Sequence, residues 1–104
     1  MPQNLIYITA SSDDEARKLG RTLVEERLAA CANVLGAIRS FYWWEGEVRE
    51  DGEVALIVKT RDTLVEKLTA RVKQLHSYSV PCVVALPIND GNPDFLAWIA
   101  KETS

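Results

Sequence analysis

The side chains best able to do chemistry in this sequence are one imidazole, His76, and two thiols, Cys31 and Cys82. They are its notable nitrogen and sulfur donors, the kind that copper and other borderline or soft cations prefer. His76 has no second histidine to complete a histidine-pair site, so a structural role stands open beside a ligand role. At a helix C-terminus its charged form would be favoured by the dipole. Cys31 lies between Ala30 and Ala32, and Cys82 between Pro81 and Val83. Either thiol reads more readily as a small buried hydrophobe with a raised pKa and low reactivity. No Ser-His-Asp set can be assembled, because only His76 could serve as the base. The sequence has no Walker loop, no G-x-G-x-x-G and no C-x-x-C. A protein that is not an enzyme is expected.

Phe41-Tyr42-Trp43-Trp44 is the other unusual feature. On a strand, Phe41 and Trp43 face one way while Tyr42 and Trp44 face the other. A 104-residue chain has little core in which to bury all four, so a subunit interface is expected there. The formal charge of −3 argues against a binder of bulk nucleic acid, which needs a cationic surface to displace counterions. No apolar segment approaches the roughly 18 residues that span a bilayer. Met1-Pro2-Gln3-Asn4 lacks the basic start of a signal sequence, and two cysteines make no disulfide scaffold. These features read as one cytoplasmic domain over residues 1–104, with neither membrane nor nucleic acid as partner.

The elements that must position these groups follow from periodicity. Residues 4–10 form a short β-branched and aromatic run suited to a buried strand. Ser12 and Glu15 have capping-box spacing, and Ala16, Leu19, Leu23, Val24 and Leu28 then recur at helical spacing. From Cys31 to Trp44 runs a long apolar strand that Gly36 should bend. Glu45-Gly46 and Asp51-Gly52 are both turn candidates, the second directly before a strand over 54–60. Leu64, Val65, Leu68, Val72 and Leu75 mark a second helix that stops before Pro81. A strand over 80–88 carries Pro81 and Pro87, which suits an edge. Asn92-Pro93 then starts a helix with Phe95, Leu96, Trp98 and Ile99 on its apolar face.

The order is βαββαβ plus a C-terminal helix: an α+β, ferredoxin-like fold with both main helices on one face of an antiparallel sheet. Its second and fourth strands occupy opposite edges. Cys31 and Cys82 are therefore too far apart for a disulfide or a shared metal within one subunit, though not across a subunit boundary.

Glu26-Arg27-Leu28-Ala29-Ala30-Cys31-Ala32-Asn33-Val34 resembles the helix-to-strand signature of the CutA divalent-cation tolerance family. Similar too are Ser40-Phe41-Tyr42-Trp43-Trp44-Glu45-Gly46-Glu47, the strand ending Lys59-Thr60, His76-Ser77-Tyr78-Ser79-Val80-Pro81, Leu86-Pro87-Ile88 and Trp98-Ile99. The likeness spans essentially the whole chain. It implies a ferredoxin-like homotrimer, in outline like the nitrogen-regulatory PII proteins, associated with tolerance of copper or another divalent cation; the nitrogen and sulfur donors His76, Cys31 and Cys82 are then the expected metal ligands. The alternative it implies is a PII-like signalling module holding a small anionic ligand in intersubunit clefts, with Lys59, Tyr78, Trp44 and Arg39 supplying charge, hydroxyl and stacking. Ser77 stands where the family usually has Pro. Cys82 stands where it usually has Glu, which removes a carboxylate from the cluster the family forms around Lys59 and Tyr78.

Overall fold

The computed structural model describes residues 2–104. Strand β1 (Gln3–Ala10) leads into helix α1 (Asp13–Glu25), then β2 (Cys31–Trp44) and β3 (Glu47–Arg61). A single 3₁₀ turn (Asp62–Leu64) opens α2 (Val65–Leu75), which is followed by β4 (Val83–Ile88) and α3 (Pro93–Glu102). The strands lie in the order β2-β3-β1-β4, and every neighbouring pair is antiparallel. This is the expected α+β arrangement, with β2 and β4 on the two edges.

Alternation along the central strands builds the core. Ile6 and Ile8 of β1 and Leu56 and Val58 of β3 turn to one face, where they meet Leu19 and Leu23 of α1 and Leu68 and Val72 of α2. Helix α1 starts because the Ser12 hydroxyl accepts the Glu15 N–H at 3.1 Å. The return half of the capping box differs from expectation: the Glu15 carboxylate takes the N–H of Ser11, not of Ser12. At the far end Leu28 N–H reaches Leu23 C=O and Arg27 N–H reaches Val24 C=O, a Schellman closure with Arg27 itself left-handed.

The hairpin departs from the sequence reading. Glu45 and Gly46 form the two-residue turn, both with positive φ, as a type I′ turn requires. Asp51-Gly52 is not a turn; it lies inside β3, opposite Ser40 and Arg39. The first turn comes so early that β3 runs as one strand of 15 residues. A one-residue bulge lies between Val34 and Gly36, the latter at φ +116°, so the strand bends as its glycine suggested. Pairing with β1 begins only at Val54, so residues 38–44 and 47–53 extend beyond the sheet as a two-stranded arm. The molecule is 44 Å long and 25 by 22 Å across.

The second sheet face, carrying Leu5, Tyr7, Ile57 and Lys59, is covered only at one end. There α3 docks through Ile99, with Gln3 Nε2–H donating to Leu96 C=O and Arg61 donating to the Thr103 hydroxyl. Phe95 and Trp98, expected on a buried face of that helix, remain partly exposed and lean on each other with ring centroids 5.4 Å apart. Strand β4 begins at Val83 rather than Val80, and Pro87 sits on it at the free edge.

Candidate functional site

The uncovered end of this second face holds a cleft of about 680 Å³. Tyr7 and Thr9 of β1 form its floor. Ser40, Tyr42 and Trp44 of β2, with Asp51 and Glu53 of β3, form one wall. Tyr78, Ser79, Val80 and Cys82, between α2 and β4, form the other. The hairpin register explains the first wall. Tyr42 pairs with Arg49 and Ser40 with Asp51, so alternate residues of the arm bring aromatic rings and carboxylates onto one side.

The other wall is pinned by His76. Its ring is fully buried, 2.7 Å from the Thr9 carbonyl through Nε2 and 3.0 Å from the Tyr78 N–H through Nδ1. A carbonyl can only accept and an N–H only donate, so Nε2 carries the proton and Nδ1 receives one. The Tyr78 ring packs against it at a tilt of 45°, with ring centroids 4.7 Å apart. Glu15 fixes the preceding residue, accepting the Ser77 N–H at 2.8 Å and the Ser77 hydroxyl at 3.1 Å, together with the Ser11 N–H and hydroxyl. Proline at position 77 could not supply that N–H. Burial raises the Glu15 pKa, but these hydrogen bonds outweigh it and hold the carboxyl at about 2.

The cleft is acidic. Tyr78 donates its hydroxyl to Glu53 at 3.0 Å, and Tyr42 donates to Asp51. Burial, then the Glu53 bond and charge, push the Tyr78 phenol above its ordinary range. The Asp51 bond does the same, more than burial, for Tyr42. Cys82 is half-buried; burial first, then the neighbouring Glu53 charge, raise its thiol pKa against an opposing Thr9 hydrogen bond.

The site residues expected from sequence are scattered. Of the proposed ligand cleft only Tyr78 and Trp44 line this one. Arg39 pairs with Gly52 on the opposite face and stands 3.7 Å from Glu50. Lys59 lies six residues beyond Glu53 on β3, roughly 20 Å at strand rise, so Lys59 and Tyr78 form no cluster within one chain. Its ammonium donates to Asn33 Oδ1 at 2.7 Å and sits 5.8 Å from the Phe95 ring centroid. Cys31 is at the β2 edge opposite Lys59, and Cys82 lies just before β4 on the other edge. Both cysteines are free and half-buried rather than enclosed. His76 has no lone pair left for a metal. Among the described residues no three His, Cys, Asp or Glu side chains converge as a metal site. Asp51, Glu53, Tyr7 and Tyr42 were missed. Counting outward from the Glu45-Gly46 turn would have placed Asp51 and Tyr42 on one face.

The fold and this half-open face define a class: ferredoxin-like α+β domains with one sheet face only partly covered. Comparison makes it specific. From residue 4 to residue 102 the chain matches the CutA1 divalent ion tolerance protein family, and it belongs to that family. The solved structure of a divalent cation tolerance protein from Thermus thermophilus superposes with a TM-score of 0.96 at 47% identity, covering 98% of this chain and 99% of that one. One from Archaeoglobus fulgidus, described as periplasmic, gives 0.95 at 44%, with 98% and 99% covered. The divalent-cation tolerance protein CutA of Pyrococcus horikoshii is 46% identical over 95% of this chain and 96% of its own length. A chloroplastic CutA of Oryza sativa is 43% identical over 99% of this chain, which spans 58% of that longer protein.

Proposed function

We propose that this protein is a homotrimeric divalent-cation tolerance protein that binds copper as its cargo and catalyses no reaction. The observation that carries the assembly is the arm: two strands with no third to pair with, bearing Phe41 at 68% and Trp43 at 74% exposure. An isolated two-stranded ribbon is marginal in water, and a monomer seldom leaves such rings together in solvent. The uncovered sheet face adds Val84 and Leu86, both about half exposed. A neighbour docked on arm and face buries these groups, each large aromatic contributing on the order of 2–3 kcal/mol.

The free β2 and β4 edges are unlike surfaces, so joining one to the other gives a head-to-tail contact, which a rotation of one third of a turn per subunit closes as a ring of three. Such a ring brings the Cys31 edge of one subunit toward the Cys82 edge of the next. Thiol donors from two chains then replace the site that one chain lacks, and thiolates are the ligands that copper favours. Two thiols held apart on opposite edges suit a reducing compartment, and we place the protein in the cytoplasm. Sedimentation equilibrium should give three times the chain mass. Calorimetric copper titration should lose its binding isotherm in the Cys31→Ser/Cys82→Ser variant and keep it in His76→Ala. A monomer at micromolar concentration refutes the assembly, and unchanged affinity without the cysteines refutes the copper site.

A further inference from the structure

We propose that Asp90-Gly91, in the connection between β4 and α3, is a site of spontaneous backbone modification, where the aspartate becomes isoaspartate through a cyclic imide. Gly91 N–H donates to Oδ1 of the preceding Asp90 at 2.8 Å. That contact holds the amide nitrogen roughly 3–3.5 Å from Asp90 Cγ, the separation of a near-attack geometry. Both residues are exposed and lie outside every helix and strand. Among the described residues no backbone carbonyl competes for that N–H. Gly91 has no Cβ to crowd the forming ring, and the nearest atoms to where one would stand are those of the Leu96 side chain, 3.8 Å away. Ile88, the last residue of β4, pairs with Gln3, so the connection sits at the end of the sheet away from the arm. None of the groups behind the assembly or the copper reading lies in it.

The chemistry needs only water. The Gly91 nitrogen bonds to Asp90 Cγ, and one carboxylate oxygen leaves as water, taking the amide proton and one proton from solvent. Water then opens the imide. If it enters at the Asp90 backbone carbonyl, that carbon–nitrogen bond breaks and the carbon becomes a free carboxylate, returning one proton to solvent. The main chain now runs through Cβ and Cγ. If it enters at Cγ, aspartate is restored. Asp51-Gly52 is the same pair in another setting. It lies within β3, opposite Ser40 and Arg39, and its carboxylate takes the Tyr42 phenol. Ring closure demands a ψ far from the roughly +135° of an antiparallel strand, so Asp51 must unpair first. At residue 90 the extra main-chain carbon falls two residues before Asn92, whose side chain caps α3 by accepting the Asp94 N–H at 3.0 Å. Ageing therefore loosens the start of the helix that covers this end of the sheet.

Incubating the assembled full chain at neutral pH in heavy-oxygen water tests this, because each passage through the imide leaves one solvent oxygen in the peptide. Trypsin puts the two pairs on separate peptides, one between Arg49 and Lys59 and the other between Lys73 and Lys101. Electron-transfer fragmentation then distinguishes isoaspartate from aspartate. We expect label and isoaspartate at residue 90 to exceed those at residue 51 by about tenfold or more. In urea the two should approach each other, since the fold sets the difference. Gly91→Ala, at a position without positive φ, should lower the yield at residue 90. The comparison of the two pairs uses the native chain and stands whether or not that variant folds. Equal yields in the folded chain, the same ratio in urea, or an undiminished yield in folded Gly91→Ala would each overturn the proposal.

Discussion

Replacing Glu15 with Gln removes the charge that ties the start of α1 to the residue before Tyr78. One carboxylate serves four donors there, two from Ser11 and two from Ser77. An amide keeps one acceptor oxygen and turns an NH₂ toward a second donor, so at least one N–H is left facing another. Holding the carboxyl at about 2 instead of 4.5 corresponds to an upper bound of about 3 kcal/mol. The flanking serines are solvent-exposed, and screening brings the expected loss to about 1–2 kcal/mol. The sign follows from the depressed pKa. Glu15 contributes its full stabilisation above about pH 4.5 and loses it as the pH falls toward 2. Urea denaturation at a fixed protein concentration, run at pH 7 and at steps down to pH 2.5, reads both quantities. The variant should be weaker at pH 7, and its stability should fall less steeply below pH 4.5. Amide exchange at Ser77 and Tyr78 should rise. Equal stability at pH 7 with an identical acid slope would refute this account of the tether.

Three other outcomes are expected. Gly36→Ala should cost about 1–3 kcal/mol through backbone strain alone, since an added Cβ meets nothing within 4 Å. Gly52→Ala, without positive φ, should stay within about 0.5 kcal/mol, and equal urea midpoints for the two would refute the bulge. In a Cys31→Ser background, thiol labelling of Cys82 should show a pH midpoint above the roughly 8.5 of a free cysteine, and one at or below that value contradicts its setting beside Glu53. Trp43→Ser together with Trp44→Ser should give monomers or insoluble protein by sedimentation velocity; an unchanged assembly would exclude the arm from the interface.

Most of the fold was legible because local signals agreed with the final packing. Ser12 caps α1, Asn92 and Pro93 start α3, and the 3.6-residue spacing of Leu19 and Leu23 gives the core face. The hairpin was harder. Two acidic-Gly pairs compete for the turn, and only the register built from Glu45-Gly46 makes Asp51 a cleft residue. Residue type alone could not show that His76 spends both nitrogens on backbone groups, because Thr9 is 67 residues away in sequence. Lys59 and Arg39 were grouped with Tyr78 by resemblance. Within one chain, strand alternation sends Arg39 to the other face and strand length carries Lys59 away.

The central place of β1 bears on how the chain is made. Its first partner is β3, but its second, β4, pairs Gln3 with Ile88. Closing so long a loop is entropically slow, and during synthesis from the N-terminus that pairing waits for almost the whole chain. Until β4 emerges, one side of β1 presents open backbone donors and acceptors beside Leu5 and Tyr7. A nascent chain on a crowded polysome therefore carries an open, aggregation-prone edge from β1 onward and covers it only with the last strand of the sheet. Truncation within or before β4 should leave a product that associates through β1, however well the hairpin and α1 have formed.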